Sequence, residues 1–443
     1  MIKREIFFIE QEEKSVIFVP LKGVIMEINE NEKIGVRELL KDHNFSFQDL
    51  LKIFPEIDRS RLLGRIPKDT RSKDEKEIFL PTSAVLFTTF NCHLRCIYCY
   101  SEAGDRRIKA NMDWEIAKSA IDLIIGNTVQ QKQEECSIEF HGGGEPTWNW
   151  SVFKSSVDYF QTCANRNGLI SKVSLVTNGM LSEKQIEWII GRNIKTIQIS
   201  LDGPEEIQNV QRPTIGGGKS FSVVFRTIKS FLARGTEIML HSVVTKDSVD
   251  RIPEIVQFFG YNFPHLMVQI EPACPCGRGL STGQQFPSPE IFVKRFIESL
   301  EIAKSFGIEL IYSGAGPQLT EIHEGFCGVC EPNFVVTPLG FVTACHEVAE
   351  FHHPHADLFI YGHWDKESSR FIFDHQKIKS LKKLSTQRNP LCCECFAQFY
   401  CAGECLVKNI NEKGKKDISF SDPRCRINRE LMKHYIFSRL YGD

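Results

Sequence analysis

No stretch of this sequence runs to about 18 apolar residues, the length a membrane-spanning helix needs. Its opening, MIKREIFFIEQEEK, has no apolar core of signal-peptide length. Both absences point to a cytoplasmic protein with no membrane partner. The chain also lacks a dominant charge: 54 Lys and Arg stand against 56 Asp and Glu, for a formal net charge of -2. The basic residues are scattered among acidic ones, and a polyanion needs a basic face, so no nucleic-acid partner is expected. Internal repeats and low-complexity tracts are missing as well. The remaining composition is that of a folded chain: 443 residues, 42% hydrophobic and 25% charged, room for two or three domains and a large core.

Cysteine is the abundant exception. Sixteen cysteines without a secretory signal argue for thiolates used in metal or redox work, because a reducing compartment does not sustain a disulfide framework. Cys92, Cys96 and Cys99, in CHLRCIYCY, follow the apolar run SAVLFTTF with gaps of three and then two residues. Three thiolates on one loop can hold three irons of a cubane cluster and leave the fourth open, whereas a closed zinc site wants four protein ligands. A zinc-binding knuckle is the alternative.

From about Ser83 to Gly307, short apolar strands alternate with amphipathic helices, which predicts a parallel sheet covered by helices. The strand candidates are SAVLFTTF, CSIEFH, KVSLVTNG, KTIQISLDG, EIMLHSVVT and HLMVQIEP. WEIAKSAIDLIIG, SEKQIEWIIGRN, FSVVFRTIKSFLARG and IPEIVQFFG carry apolar residues at three- and four-residue intervals and read as helices. Active sites in such folds lie at the carboxyl ends of the strands, where every suggestive residue here falls. Before this region, REIFFIE, SVIFVP and VIMEINE read as three strands, GVRELLKDH and FQDLLKIF as short helices, and KDTRSKDEKE as a charged linker.

The cysteine trio with its aromatic Tyr98 resembles the radical S-adenosylmethionine (radical SAM) superfamily. In that family S-adenosylmethionine chelates the open iron through its amino and carboxylate groups, and an electron from the [4Fe-4S] cluster cleaves it to a 5′-deoxyadenosyl radical. The resemblance implies an α/β fold with a partial (β/α)6 radical SAM barrel, and it puts Tyr98 in the adenine-packing position. FHGGGEPTW supplies the family's Gly-Gly-Glu-Pro motif as Gly143, Gly144, Glu145 and Pro146, whose carbonyls and carboxylate would meet the methionyl ammonium. Asn178, Ser200 and Asp202 match positions that line the pocket in relatives, and Arg212 would hold the methionyl carboxylate. Asp202, in Asp-Gly-Pro, is equally a turn residue.

A second array begins at Cys327. The spacings of Cys327, Cys330, Cys345, Cys392, Cys395, Cys401, Cys405 and Cys425 resemble the SPASM domain of peptide- and protein-modifying radical enzymes. By that resemblance Cys327, Cys330, Cys345 and Cys405 would hold one auxiliary [4Fe-4S] cluster and Cys392, Cys395, Cys401 and Cys425 a second, three clusters in all; a zinc ribbon is the alternative. Cys136, Cys163, Cys274, Cys276 and Cys393 are left over, with Cys393 competing with Cys392 for one ligand place.

The expected organisation is a small α+β domain over residues 1–80, the barrel over 81–312 and a cysteine-rich SPASM iron–sulfur domain over 313–443. The first loosely resembles the winged-helix domain that recognises leader peptides, a strand of peptide adding to the edge of the SVIFVP and VIMEINE sheet; a simple flap over the barrel is the alternative. The whole implies a radical SAM oxidoreductase acting on a precursor peptide or small protein, with flavodoxin or ferredoxin as reductase, and giving an oxidised or crosslinked residue. His346 stands where sulfatase-maturing relatives carry an Asp general base, and an imidazole titrating near neutrality would serve. That difference favours crosslinking of ribosomally made peptides over formylglycine formation by a sulfatase-type maturase. A non-enzymatic metal-binding scaffold is the third reading.

Overall fold

The computed structural model describes residues 4–42, 45–55, 68–69, 78–105, 108–316, 319, 321–323, 325–329, 331–384, 390–410 and 422–442. The chain divides into two compact units, one formed by Met1–Lys76, Tyr312–Glu331 and Lys382–Asp443, the other by Glu77–Ile311 and Pro332–Leu381. This division differs from three successive segments: residues 332–381 fold with the expected barrel, and the last stretch of chain folds with the first.

The larger unit holds one eleven-stranded sheet with order β11-β10-β9-β8-β7-β6-β5-β13-β14-β15-β16. Six parallel strands, β5 (Ser83–Leu86), β6 (Glu135–Phe140), β7 (Ile170–Thr177), β8 (Thr196–Ser200), β9 (Met239–Val244) and β10 (Met267–Pro272), coincide with the six read from the sequence. Their interior positions alternate, so Ile138 and Phe140, Leu175, and Ile197 and Ile199 are buried while their neighbours face the opposite side. The connecting helices Trp114–Gln130, Trp150–Arg166, Glu183–Gly191, Phe221–Leu232, Ile252–Asn262 and Pro289–Ser305 bury their apolar stripes against it. The expected run of six β/α units is therefore present.

Two extensions were not read from the sequence. Beyond β10 runs a further parallel strand, β11 (Glu309–Ile311). On the other edge, β5 pairs in parallel with β13 (Val335–Val336), which continues antiparallel into β14 (Phe341–Thr343), β15 (Ile360–Asp365) and β16 (Arg370–Phe373). Two- and three-residue strands carry too little alternation to announce themselves. Pairing β13 with β5 matters functionally, because the chain after β14 carries Cys345 and His346, and the His346 ring lies 5.8 Å from that of Phe87, the residue after β5.

The smaller unit begins with β1 (Phe7–Gln11), β2 (Lys14–Val19) and β3 (Val24–Glu27), an antiparallel sheet of order β1-β2-β3. Helices Glu30–Leu39 and Phe47–Ile53 follow, each opened by a capping box, Asn29 with Glu32 and Ser46 with Asp49. Val36, Leu40, Leu50 and Phe54 close over Ile17, Val19 and Val24. The three-strand, two-helix reading is thus matched, with one correction: β2, the SVIFVP strand, is central and has no free edge. An added strand would have to pair with β1 or β3. Of the charged linker only Lys68 and Asp69 are described; they form β4 (Lys68–Asp69), paired with β12 (Glu321–Ile322), and the rest lies outside the described residues. The helix Pro423–Tyr441 also belongs to this unit and places Tyr441, whose hydroxyl donates to Glu27, against β3.

Candidate active site

The loop leaving β5 carries Cys92, Cys96 and Cys99 and is fastened by its backbone. Arg95 N donates to Pro213 O, Ile97 N to Gln211 O and Gly104 N to Phe90 O. The side chain of Arg278, after β10, braces it from the far side. Its Nη1 donates to Cys96 O at 2.8 Å and its Nη2 to Ala103 O at 2.8 Å, while Nε meets Asp105 at 2.9 Å. Arg95 completes the clamp through its own pair with Asp105 at 2.7 Å. Gly277 has φ +51°, and a Cβ there would lie 2.5 Å from Cys99 O, so only glycine lets the Arg278 loop come this close.

The three thiols face one another's charge. Burial first, then the neighbouring Cys96 and Glu145, push the Cys92 thiol well above its ordinary value. Cys96 is pushed up to about 12, again chiefly by burial, against the opposing pull of Arg212. A cluster of thiols that resists ionising alone is one that a multivalent cation or iron–sulfur cluster would stabilise as thiolates. Two N–H groups already point at Cys92 Sγ, the backbone of Leu94 and the Nδ2 of Asn178, each at 3.4 Å.

The loops after β6, β7 and β8 meet this one. Gly144 N and Glu145 N donate to Thr89 O and Asn91 O, and a Cβ on Gly144 would fall 2.0 Å from Asn91 O. The close approach that the glycines allow is therefore to the cysteine loop. Ser101 Oγ takes the Gly143 carbonyl at 2.7 Å. Glu145 is buried and accepts from Thr147 N and Oγ1, from Thr177 Oγ1 at 2.8 Å and from Asn178 N at 2.8 Å. It ties two loops together, where the sequence suggested a charge offered to a ligand. Pro146 starts the short helical turn that follows and is buried, its carbonyl receiving Thr88 Oγ1.

Asp202 is likewise a hub. Fully buried, it accepts from the Tyr98 hydroxyl, Gln211 Nε2 at 2.7 Å, Arg212 Nε at 3.0 Å and Val243 N at 3.0 Å. Its oxygens are committed to internal donors, so it positions other groups. Arg212 lies with its guanidinium 5.4 Å over the Tyr98 ring, joining the two residues expected to flank a nucleoside and a carboxylate. Ser200, at the end of β8, is buried beside this hub.

A second polar group lines the same sheet. Glu139 on β6, His141 after it and His346 after β14 are close enough to sense one another, and His241 on β9 senses His141. His141 Nδ1 sits 3.1 Å from Glu139 Oε1, and its ring centroid lies 4.8 Å from that of His346. Burial, helped by His141, pushes His346 down to about 4, so the expected imidazole titrating near neutrality is not what the fold provides. His346 is a neutral side chain packed beside Phe87.

In the smaller unit, Cys392, Cys395, Cys401 and Cys425 line a single pocket with Gln398, Glu404 and Arg429. Asn428 Nδ2 donates to Cys401 Sγ at 3.1 Å. Cys393 is absent from this lining and instead lends its carbonyl to Gln398 Nε2, which favours Cys392 as the ligand. Cys327, with φ +51°, and Cys405 also belong to this unit, Cys345 belongs to the larger one, and Cys330 lies outside the described residues.

Comparison with known proteins bears on the larger unit. Residues 86–259 match the model of the Radical SAM superfamily. This chain contains a radical SAM domain. A cysteine-type anaerobic sulfatase-maturating enzyme of Clostridium perfringens is 28% identical over 172 residues, 38% of this chain. The match spans only 45% of that relative's length. Mycofactocin maturase MftC of Mycolicibacterium smegmatis is 24% identical over 343 residues, 75% of this chain and 80% of MftC. The solved structure of native anSMEcpe with bound AdoMet superposes with a TM-score of 0.65 at 21% identity, covering 81% of this chain and 98% of that one, a likeness of fold.

The radical SAM domain thus includes the cysteine loop, the Gly-Gly-Glu-Pro loop, Asn178, Asp202 and Arg212, and its donor chemistry fits a [4Fe-4S] cluster: three thiols with N–H groups aimed at sulfur. No described helix is long and apolar enough to cross a membrane. Sequence reading missed Arg278, Gln211, Glu139, His141 and His241. Arg278 follows the unexplained pair Cys274 and Cys276, and only the fold brings it back to the cysteine loop.

Two outcomes follow from this geometry. Arg278→Ala removes a buried fork of charge-assisted bonds, each worth about 1.5–3 kcal/mol, and should speed chelator-driven loss of iron from the Cys92, Cys96 and Cys99 site at least several-fold. Arg278→Lys should recover only part, and wild-type iron retention in both would contradict the bracing role. His241 titrates near 4 in the fold against 6.5 when exposed. Between these values only the unfolded chain binds its proton, so stability is complete above pH 6.5 and falls as pH drops toward 4. The loss is on the order of 2 kcal/mol, and thermal unfolding at pH 7 and pH 5 should show a smaller drop for His241→Asn than for wild type.

Proposed function

We propose that this chain is a radical SAM maturase that oxidises or crosslinks a residue in a ribosomally made peptide or small protein. The observation that carries the reading is the braced loop of Cys92, Cys96 and Cys99 with Asn178 and Leu94 donating to Cys92 Sγ. Those three cysteines would hold a [4Fe-4S] cluster. With S-adenosylmethionine bound to it, that cluster would supply a 5′-deoxyadenosyl radical able to take hydrogen from an unactivated carbon. The chain's own part is placement. Tyr98 and Arg212, fixed by Asp202, would order the nucleoside and the methionyl carboxylate. Gly143, Gly144, Glu145 and Pro146 hold the loops that enclose the methionyl end, and Ser200 and Asn178 complete the wall.

Cys392, Cys395, Cys401 and Cys425, gathered around one pocket, would hold an auxiliary cluster that accepts the surplus electron. By their spacing alone, Cys327, Cys330, Cys345 and Cys405 would be the ligands of a second. His346 belongs to the product-forming half of the reaction, near Glu139 on β6 and His141. The β1–β3 unit is proposed to bind a leader segment by strand addition at β1 or β3, and flavodoxin or ferredoxin is the proposed electron source. A cytoplasmic location would keep these cysteines reduced and available to iron.

The similarity to sulfatase-maturating enzymes favours a second reading, formylglycine formation in a sulfatase-like protein. Product mass separates them, because formylglycine replaces one side chain whereas a crosslink removes hydrogens from two.

The decisive variant replaces Cys92, Cys96 and Cys99 together by Ala in anaerobically prepared protein. It should lose about four of twelve irons and all S-adenosylmethionine cleavage, read as 5′-deoxyadenosine. Wild-type cleavage in that variant would refute the assignment. In the same assay His346→Ala should lower peptide product more than 5′-deoxyadenosine; equal loss would mean that His346 only packs.

A further inference from the structure

Glu139, His141 and His346 each offer one donor atom, and the three atoms lie within 4.8 Å of one another. They come from two separate strands' ends, β6 and β14, joined only because β13 pairs with β5. His346 Nε2 is buried and has no hydrogen-bond partner. A buried acceptor or donor left unmade is costly, of order 1–3 kcal/mol, and native structures rarely tolerate one without a ligand to meet it. Glu139 has His141 as its only ion-pair partner among the described residues, so no Lys or Arg compensates its carboxylate there.

We infer that Glu139, His141 and His346 form a binding site for one divalent transition-metal ion of borderline softness, such as Zn2+, distinct from the cysteine-held clusters. Two imidazoles and one carboxylate are the donor set of catalytic zinc, and of mononuclear iron with open positions. A tetrahedral ion with bonds near 2.1 Å requires donors about 3.5 Å apart. The present spacing therefore calls for an inward turn of about 1 Å, which the side chains of Glu139 and His141, 39% and 36% exposed, are free to make. Three protein donors leave a position of a tetrahedral ion open. A peptide carbonyl or carboxylate of a substrate is the ligand chemistry it would take. The site rests on the proposed function only for this last step; ion binding itself does not.

The test uses the full-length protein, anaerobically loaded with iron and sulfide so that its cysteines are occupied, then stripped of loose metal. Equilibrium dialysis against 65Zn2+ should show one saturable site per chain. His141→Ala and Glu139→Gln should each weaken it at least tenfold with iron content unchanged. Crystals grown with Zn2+ should give one anomalous peak at the zinc edge bonded to all three residues. No saturable site, undiminished binding in both variants, or a peak elsewhere would overturn the proposal. Iron content reports separately on the cluster reading, so a chain that binds zinc here but holds no iron would sink that reading and leave this one standing.

Discussion

The candidate site of the larger unit depends on holding Cys92, Cys96 and Cys99 in place on one short loop, within reach of one another's charge. Neighbouring thiolates repel and burial raises the cost of ionising them; the Cys92 and Cys96 thiols are both pushed up, chiefly by burial. The fold meets it from several directions. Arg278 and Arg95 pin the loop's carbonyls and Asp105, Asn178 aims an N–H at sulfur, and Gly144 lets the next loop press against Asn91. Each of these comes from the carboxyl end of a different strand, which is why a parallel sheet suits the task.

A second layer of order radiates from Asp202. By binding Tyr98, Gln211, Arg212 and the β9 backbone at once, it fixes the cysteine loop's aromatic residue relative to the two strands that face it. Buried charge of this kind costs desolvation, and losing one partner leaves the rest uncompensated. Each partner of Asp202 therefore helps to hold the others in place.

The parallel strands and the helices between them were legible because period-2 and period-3.6 patterns run long enough to read, and the cysteine loop was legible because its spacing is chemistry. What stayed hidden has a common cause. Arg278 lies 182 residues from the Cys96 carbonyl it binds, and His346 stands beside His141 only through a two-residue strand. Contacts of such range leave no local trace in a single sequence. Glu145 and Asp202 were found, and the structure adds the internal donors that their oxygens accept from. His346 was found for its place in the chain, yet its titration is set by burial that the sequence does not display. In the smaller unit the spacing of Cys392, Cys395, Cys401 and Cys425 foretold a shared pocket, and the structure adds Asn428 and the choice of Cys392 over Cys393.

The central claim is that Cys92, Cys96 and Cys99 hold a cluster whose open iron meets S-adenosylmethionine. Electron paramagnetic resonance of the anaerobically reduced protein tests it most directly. The account predicts a reduced [4Fe-4S] signal whose g values shift when S-adenosylmethionine is added, with the shift absent in Cys96→Ala. A spectrum indifferent to S-adenosylmethionine, or a shift that survives that substitution, would contradict it.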